Sequence, residues 1–404
     1  MLMSSKYSKA LLLGALAALP PAIFFIAANF WPDYGFMQPN DFYLGSDFVN
    51  YWMGGRLALL GRLDALYDVA AYNLLLQEWF SPVIRMMNFS YPPHALLMLA
   101  VFGALPYFAA LILWSVFGAI GFAAVALGRR PASTQWALLA AVALAPILWV
   151  NIVFGQMGLW LAILFVGALR ALPTRPVLAG ILAGMLTIKP QLGLLLPLLM
   201  LATGAWRPIG AAIITALAMV ALSVVAFGTA PWHTYLTETM PFQWQFIELM
   251  NGFYRFQMIT PYTALYFIGV PAQAALAIQI ASSLVIALTT ILVARSDAPW
   301  ALKCAVVAFG SVLMVPYVLA YDLAAPYAAL IWHLTDDQPA DDNARVMFAG
   351  ILWALPFALA IAAQIAGIPL LPVVLVATFF WLAGDALGWR PFAHVKSAFA
   401  AIKA

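Results

Sequence analysis

Between residues 41 and 68 stand Asp41, Asp47, Asp64 and Asp68 with Arg56 and Arg62, in a chain of 404 residues of which only 8% are charged. A carboxylate in such surroundings can take a proton from a hydroxyl group or hold a cation. Asp47 is the best placed of the four. In "DFVNYWMGGRLALL" the spacing of Phe48, Tyr51, Trp52, Leu59 and Leu60 predicts a surface helix with one apolar face, which begins directly after Asp47. A helix dipole holds an aspartate at that end in its charged form. Asp41 shares the stretch and is kept as a substrate-binding candidate, whereas Asp64 and Asp68, in "GRLDALYD", suit turns and helix ends.

Three further polar residues interrupt apolar runs, where an ionisable group costs several kcal/mol unless it is paired or hydrated. Lys189 lies in "GMLTIKPQLGLLLPLL", and Pro190 breaks the helix after it. Broken helices leave backbone groups that are tolerated where they line a cavity. Asp322 stands in "MVPYVLAYDLAAPYAAL" between Pro316 and Pro326, and Gln156 follows Gly155 in "NIVFGQMGLWLA". Each has a plainer alternative. Lys189 can snorkel to mark a helix end, Asp322 can cap the helix that begins at Leu323, and Gln156 can join helices by hydrogen bonds. Tyr51, Arg56, His94, Arg255 and Tyr321 complete the substrate-binding candidates. The four histidines, His94, His233, His333 and His394, lack metal-ligand spacing, and no metal or cofactor is expected.

The elements that must hold these groups follow from composition. Hydrophobic residues make up 66% of the chain, against which a soluble globule would hold about 25% charged residues. The chain is read as an all-α polytopic membrane protein. About 11 to 13 spanning helices are expected, counted against the roughly 20 residues that cross a bilayer, and some are too short to cross unaided. Alternation of period two, the mark of a β-barrel, is nearly absent. The single cysteine, Cys304, excludes an internal disulfide and a cysteine-based metal cluster. Nothing in the charge pattern points to nucleic acid.

Lys6 and Lys9 precede a first apolar helix at 10–31, longer than a signal-peptide core, so the helix is expected to remain and the N-terminus to be cytoplasmic. Arg129, Arg130, Arg170, Arg175, Arg207, Arg295, Arg390, Lys396 and Lys403 fit the same side, provided that residues 93–105 form a short re-entrant helix broken at Pro106 before a full span at 107–128. Two long segments then face outward, 32–91 and the aromatic-rich 229–262, with compositions suited to interfacial helices. No linker, repeat or soluble domain is visible, so residues 1–404 read as one integral membrane domain.

The succession "SDFVNYWMGGRLALLGRLDALYD", "YPPHALLMLAVFGALP", "VFGQMGLWLAILFVGALRAL" and "LAGILAGMLTIKPQLGLLLPLLML" resembles glycosyltransferase family 87, over about residues 10–330. Members of that family are similar to polyprenol-phosphate-mannose-dependent α-mannosyltransferases. The resemblance implies a GT-C fold with its active site on the extracytoplasmic side, periplasmic in a bacterial inner membrane. It also implies a carboxylate of the first outer loop as general base, here Asp47, and makes Lys189 the candidate partner of the donor phosphate. Its partners would be a polyprenyl-phosphate sugar, mannose by family default, and a glycan or glycolipid acceptor. Where mannosyltransferase relatives tend to carry a histidine-containing stretch in the late outer loop, this chain has "YVLAYDLAAPY" with Asp322. The residue types fit independently. A phosphate leaving group can be stabilised by a lysine and helix N-termini without a metal, and a carboxylate can deprotonate the attacking hydroxyl in an inverting displacement. Broken helices and buried charges also serve transporters, so a carrier of a lipid-linked or small polar solute is the alternative class.

Overall fold

A computed structural model describes residues 3–128, 135–249, 255, 257–336 and 343–389. Arg129, Arg130, Arg390, His394, Lys396 and Lys403 lie outside the described residues. Within them the chain is helical throughout, with isolated bridges in place of strands.

Among the described residues, four helices are long and apolar enough to cross a membrane: Lys6–Phe30, Tyr107–Leu127, Trp206–Phe227 and Ala272–Arg295. Trp136–Ala143 and Pro146–Val153 make a fifth candidate, bent by 41° at the break before Pro146. Seven other apolar helices have 10–17 residues, among them Gly158–Ala171, Pro176–Ile188 and Pro190–Ala202. The expected 11 to 13 spans are therefore mostly shorter pieces. The reason is local: Pro93, Pro146, Pro176 and Pro190 each open a helical segment and, lacking an N–H, end the run before it. At 1.5 Å per residue a 14-residue helix reaches roughly 21 Å, short of a hydrocarbon core of about 30 Å.

The core is built around two almost wholly buried helices. All twelve residues of Ala324–Thr335 are buried, as are nearly all of Trp300–Leu313. A helix buried all round needs no polar face, and these two carry few polar side chains: Lys303, Ser311, His333 and Thr335. Outside them, Met3–Phe30 pairs with Asn343–Ala366, Pro176–Met185 with Trp206–Phe227, and Tyr107–Leu127 with Gly158–Ala171.

The first long segment is held against this bundle at one end. Its helix Phe48–Leu59 lies on Leu96–Gly103 at a distance that small residues allow. A Cβ on Gly55 would overlap the carbonyl oxygen of Leu99, and one on Gly103 would overlap the backbone of Gly55 and Arg56. Trp52 Nε1 donates to the Leu105 carbonyl at 2.9 Å, and Tyr107 Oη to that of Leu44 at 2.6 Å. The expected short helix before Pro106 is present, as the turn Pro93–Ala95 and the helix Leu96–Gly103. Upstream of Asp47 the chain turns tightly, and three non-glycine residues take left-handed backbone: Phe36 (φ 68°), Asp41 (φ 63°) and Ser46 (φ 42°). The second long segment contributes Ala230–Thr234, a π-turn at Tyr235–Thr239, and Met240–Leu249.

Candidate active site

The breaks between helices converge on one cavity of about 570 Å³. Asp47, Gln156, Lys189 and Tyr321 line it, each from a different junction, together with Tyr51 and Tyr91. The second long segment closes one wall with Tyr235, Met240 and Gln243. Gln243 Nε2 donates to Ser90 Oγ at 3.0 Å, which ties the two segments together.

Asp47 occupies the N-cap of Phe48–Leu59, as the pattern of the sequence predicts, but its side chain makes no capping bond. The carboxylate instead receives the amide Nε2 of Gln156 on Oδ2. Its backbone is fixed by an N–H donated to the Phe154 carbonyl at 3.0 Å. Gly155, at φ 58°, makes this approach possible: a Cβ there would overlap the carbonyl of Gly45 and crowd Phe48. Burial pushes the Asp47 carboxyl up to about 6, against the opposing pull of the Gln156 hydrogen bond and of the Lys189 and Arg85 charges. A carboxylate held there is poised to accept a proton near neutrality.

Lys189 stands between two 3-10 turns, Leu186–Ile188 and Pro190–Gly193, where the helix is interrupted. Its Nζ donates to both oxygens of Asp322, at 2.6 and 2.7 Å, and sits 5.2 Å from the centre of the Tyr321 ring. The pair is deeply buried. Of the alternatives open in the sequence, neither snorkelling nor capping describes these side chains: Lys189 turns inward, and Asp322 sits in the turn Ala320–Leu323 with no capping bond to the next helix. Asn151 Nδ2 anchors that turn through the Tyr321 carbonyl at 3.0 Å.

Asp47, Lys189, Tyr51, Gln156 and Tyr321 thus meet at the cavity, with Asp322 directly behind Lys189. Four other candidates lie elsewhere. Asp41 is exposed, and its carbonyl accepts the Arg85 N–H at 2.7 Å. Arg56 reaches the Gly103 carbonyl at 3.5 Å, and His94 stacks on Trp232 with its Nε2 3.2 Å from Thr187 Oγ1. Arg255 Nη2 donates to the Phe267 carbonyl at 2.5 Å, with its guanidinium over that ring. Asp68 takes the structural place expected of it, accepting the Ala71 N–H at the start of Val69–Trp79.

Sequence reasoning missed Arg85, Asn50, Tyr91 and Tyr317, which also line the cavity. Arg85 had a signal, as a cation inside the apolar "PVIRMMNF". The others had none: an asparagine in a surface helix and tyrosines beside Pro92 and Pro316 are ordinary there, and only the fold turns them toward the cavity.

The model of glycosyltransferase family 87 matches residues 89–316, a stretch that includes Gln156 and Lys189 but ends short of Asp47 on one side and Asp322 on the other. Neither the curated proteins nor the solved structures give a match.

Proposed function

Since the chain belongs to glycosyltransferase family 87 and is a membrane glycosyltransferase, we propose that it moves a sugar from a polyprenyl-phosphate donor to a hydroxyl of a glycan or glycolipid acceptor. The observation that carries this reading is the cavity itself, which sets a carboxylate of raised pKa and a lysine at a helix break in one enclosure. Asp47 takes the acceptor proton as the acceptor oxygen bonds to the anomeric carbon. The bond from that carbon to the phosphate oxygen breaks, and polyprenyl phosphate departs with the electron pair. Displacement in one step inverts the anomeric centre. Lys189 faces the departing charge, and the lipid tail stays in the membrane beside the short helices. Mannose is the family-level sugar. A panel of radiolabelled polyprenyl-phosphate sugars, with a membrane-lipid extract as acceptor, tests the reading. Covalent transfer from a mannosyl donor supports it, and transfer only from a nucleotide sugar would overturn it.

The pH dependence follows from Asp47. A base works only when ionised, and its folded pKa is raised, so the rate should fall as pH falls through about 6. Below that point the loss should be roughly tenfold per unit, in contrast to an ordinary aspartate, which would hold its charge to about pH 4. Initial rates between pH 4.5 and 8 check this. An acid limb centred near 4 would mean that Asp47 is not the group being titrated.

The cavity is assigned to the periplasmic side of a bacterial inner membrane, the whole chain forming one membrane domain. Tyr34, at the cavity end, is 87% exposed, and Thr174 is exposed beyond the far end of Gly158–Ala171. In a Cys304→Ala background, a cysteine introduced at Tyr34 should react with an impermeant thiol reagent added to intact cells, and one at Thr174 should react only after lysis. The reverse pattern would turn the enzyme over in the membrane.

A further inference from the structure

Gln156 is 3% exposed and both ends of its amide are committed. Its Nε2 donates to Asp47 Oδ2, and its Oε1 accepts from Tyr51 Oη at 3.0 Å. Tyr51 Oη lies 2.9 Å from Tyr91 Oη. A carboxylate only accepts, so the amide nitrogen must face Asp47 and the amide oxygen must face Tyr51. A hydroxyl has one proton, and that of Tyr51 is spent on Gln156. Tyr91 is therefore the donor in the tyrosine pair. The chain of bonds runs one way, from Tyr91 through Tyr51 and Gln156 to Asp47, and every donor points toward the carboxylate. Hydrogen bonds ordered in this way reinforce one another in a poorly hydrated site.

The backbone holds the relay rigidly. The Gln156 N–H donates to the Asn151 carbonyl at 2.8 Å, and its own carbonyl accepts from Trp114 Nε1 at 3.3 Å. Tyr51 stacks on Trp114 with ring centres 5.1 Å apart, and Tyr67 Oη donates to the Tyr91 carbonyl at 2.9 Å.

We propose that Gln156 is the positioning residue of the catalytic base: oriented by the Tyr91–Tyr51 hydroxyl pair, it occupies Asp47 Oδ2 and leaves Oδ1 as the oxygen that takes the acceptor proton. The proposal rests on Asp47 being the base. It deepens that reading by giving the two carboxylate oxygens different tasks and by making three uncharged side chains part of the proton acceptor's setting.

The charges that act on Asp47 are Lys189, itself paired with Asp322, and Arg85, and the neighbouring phenols are Tyr51, Tyr72, Tyr91, Tyr317 and Tyr321. Replacing Gln156 leaves both charges in place and, among the phenols, directly frees only Tyr51, whose own share is read from Tyr51→Phe. The test needs no sugar substrate. Dicyclohexylcarbodiimide adds to protonated carboxyl groups in apolar surroundings, and the adduct on Asp47 can be mapped by mass spectrometry of the purified full chain at a series of pH values. Wild type should be half-labelled near pH 6. Gln156→Leu removes the donor and should move the midpoint up by about one unit, a roughly tenfold rise in the protonated-to-ionised ratio at a given pH. Tyr51→Phe keeps the ring but frees the amide to turn, and should move the midpoint the same way by less. Because Tyr51→Phe is the milder change, it decides the matter if Gln156→Leu does not fold. An unchanged midpoint in Tyr51→Phe would overturn the ordered chain, and an unchanged midpoint in Gln156→Leu would overturn the role of Gln156. Whether Asp47 is the base at all is read separately, from the turnover of Asp47→Asn.

Discussion

Asp47→Asn is expected to lower turnover by roughly 10²-fold or more, the size of a lost acid-base catalyst, with the fold intact. The substitution is close to isosteric, and the asparagine side-chain oxygen can still accept the Gln156 N–H. What it lacks is an oxygen able to keep a proton. Asp41→Asn provides the contrast. That side chain is exposed and away from the cavity, its tie to Arg85 runs through the backbone, and asparagine tolerates the left-handed conformation found there. Its turnover should stay near wild type. Rates of both variants on one donor, normalised to folded protein, check the assignment, and equal small losses would remove Asp47 from the chemistry.

The second large effect is expected at the Lys189–Asp322 pair, where structure and chemistry must be separated. Lys189→Met alone strands a buried carboxylate, which typically costs about 3–5 kcal/mol, so a dead single variant would say nothing of the donor. Lys189→Met with Asp322→Asn removes both charges together and should recover the fold. If Lys189 contacts the donor phosphate, the double variant should still lose about 1.5–3 kcal/mol of donor affinity, or roughly 10- to 150-fold, for want of a charge-assisted bond. Initial rate against donor concentration measures it. A donor curve restored to wild type in the double variant would make the pair a clasp between two helix breaks and nothing more.

Much of this architecture is legible in the sequence because the bilayer leaves few choices. Apolar runs must be helices, and a proline or a lone charge within them marks a break, which is how Lys189, Gln156 and Asp322 stand out. Asp47 is legible from the apolar face that follows it. The pairing of Lys189 with Asp322 is not, since the two are far apart in the chain and only packing around the buried helices brings them together. Arg56, His94 and Arg255 show the reverse difficulty, since their side-chain contacts are equally invisible in the sequence. In the fold their side chains meet backbone carbonyls or an aromatic ring and do not line the cavity. Apolar runs outnumber the helices long enough to cross unaided because hydropathy counts apolar residues, whereas the prolines that shorten the helices act through a missing N–H.

The left-handed residues upstream of Asp47 bear on how the enzyme fails when heated. Phe36, Asp41 and Ser46 each hold a backbone conformation that costs a side-chain-bearing residue about 1–3 kcal/mol, and the contacts around the loop must supply that energy. The segment that carries Asp47 is accordingly held in place by its surroundings, against the preference of its own backbone. On warming, it should release first, before the bundle does. Thermal inactivation, followed by residual turnover, should therefore have a lower midpoint than the loss of helical circular dichroism. Asp41→Gly, which relieves one of the three residues without touching the cavity, should narrow the interval between the two curves from its lower edge.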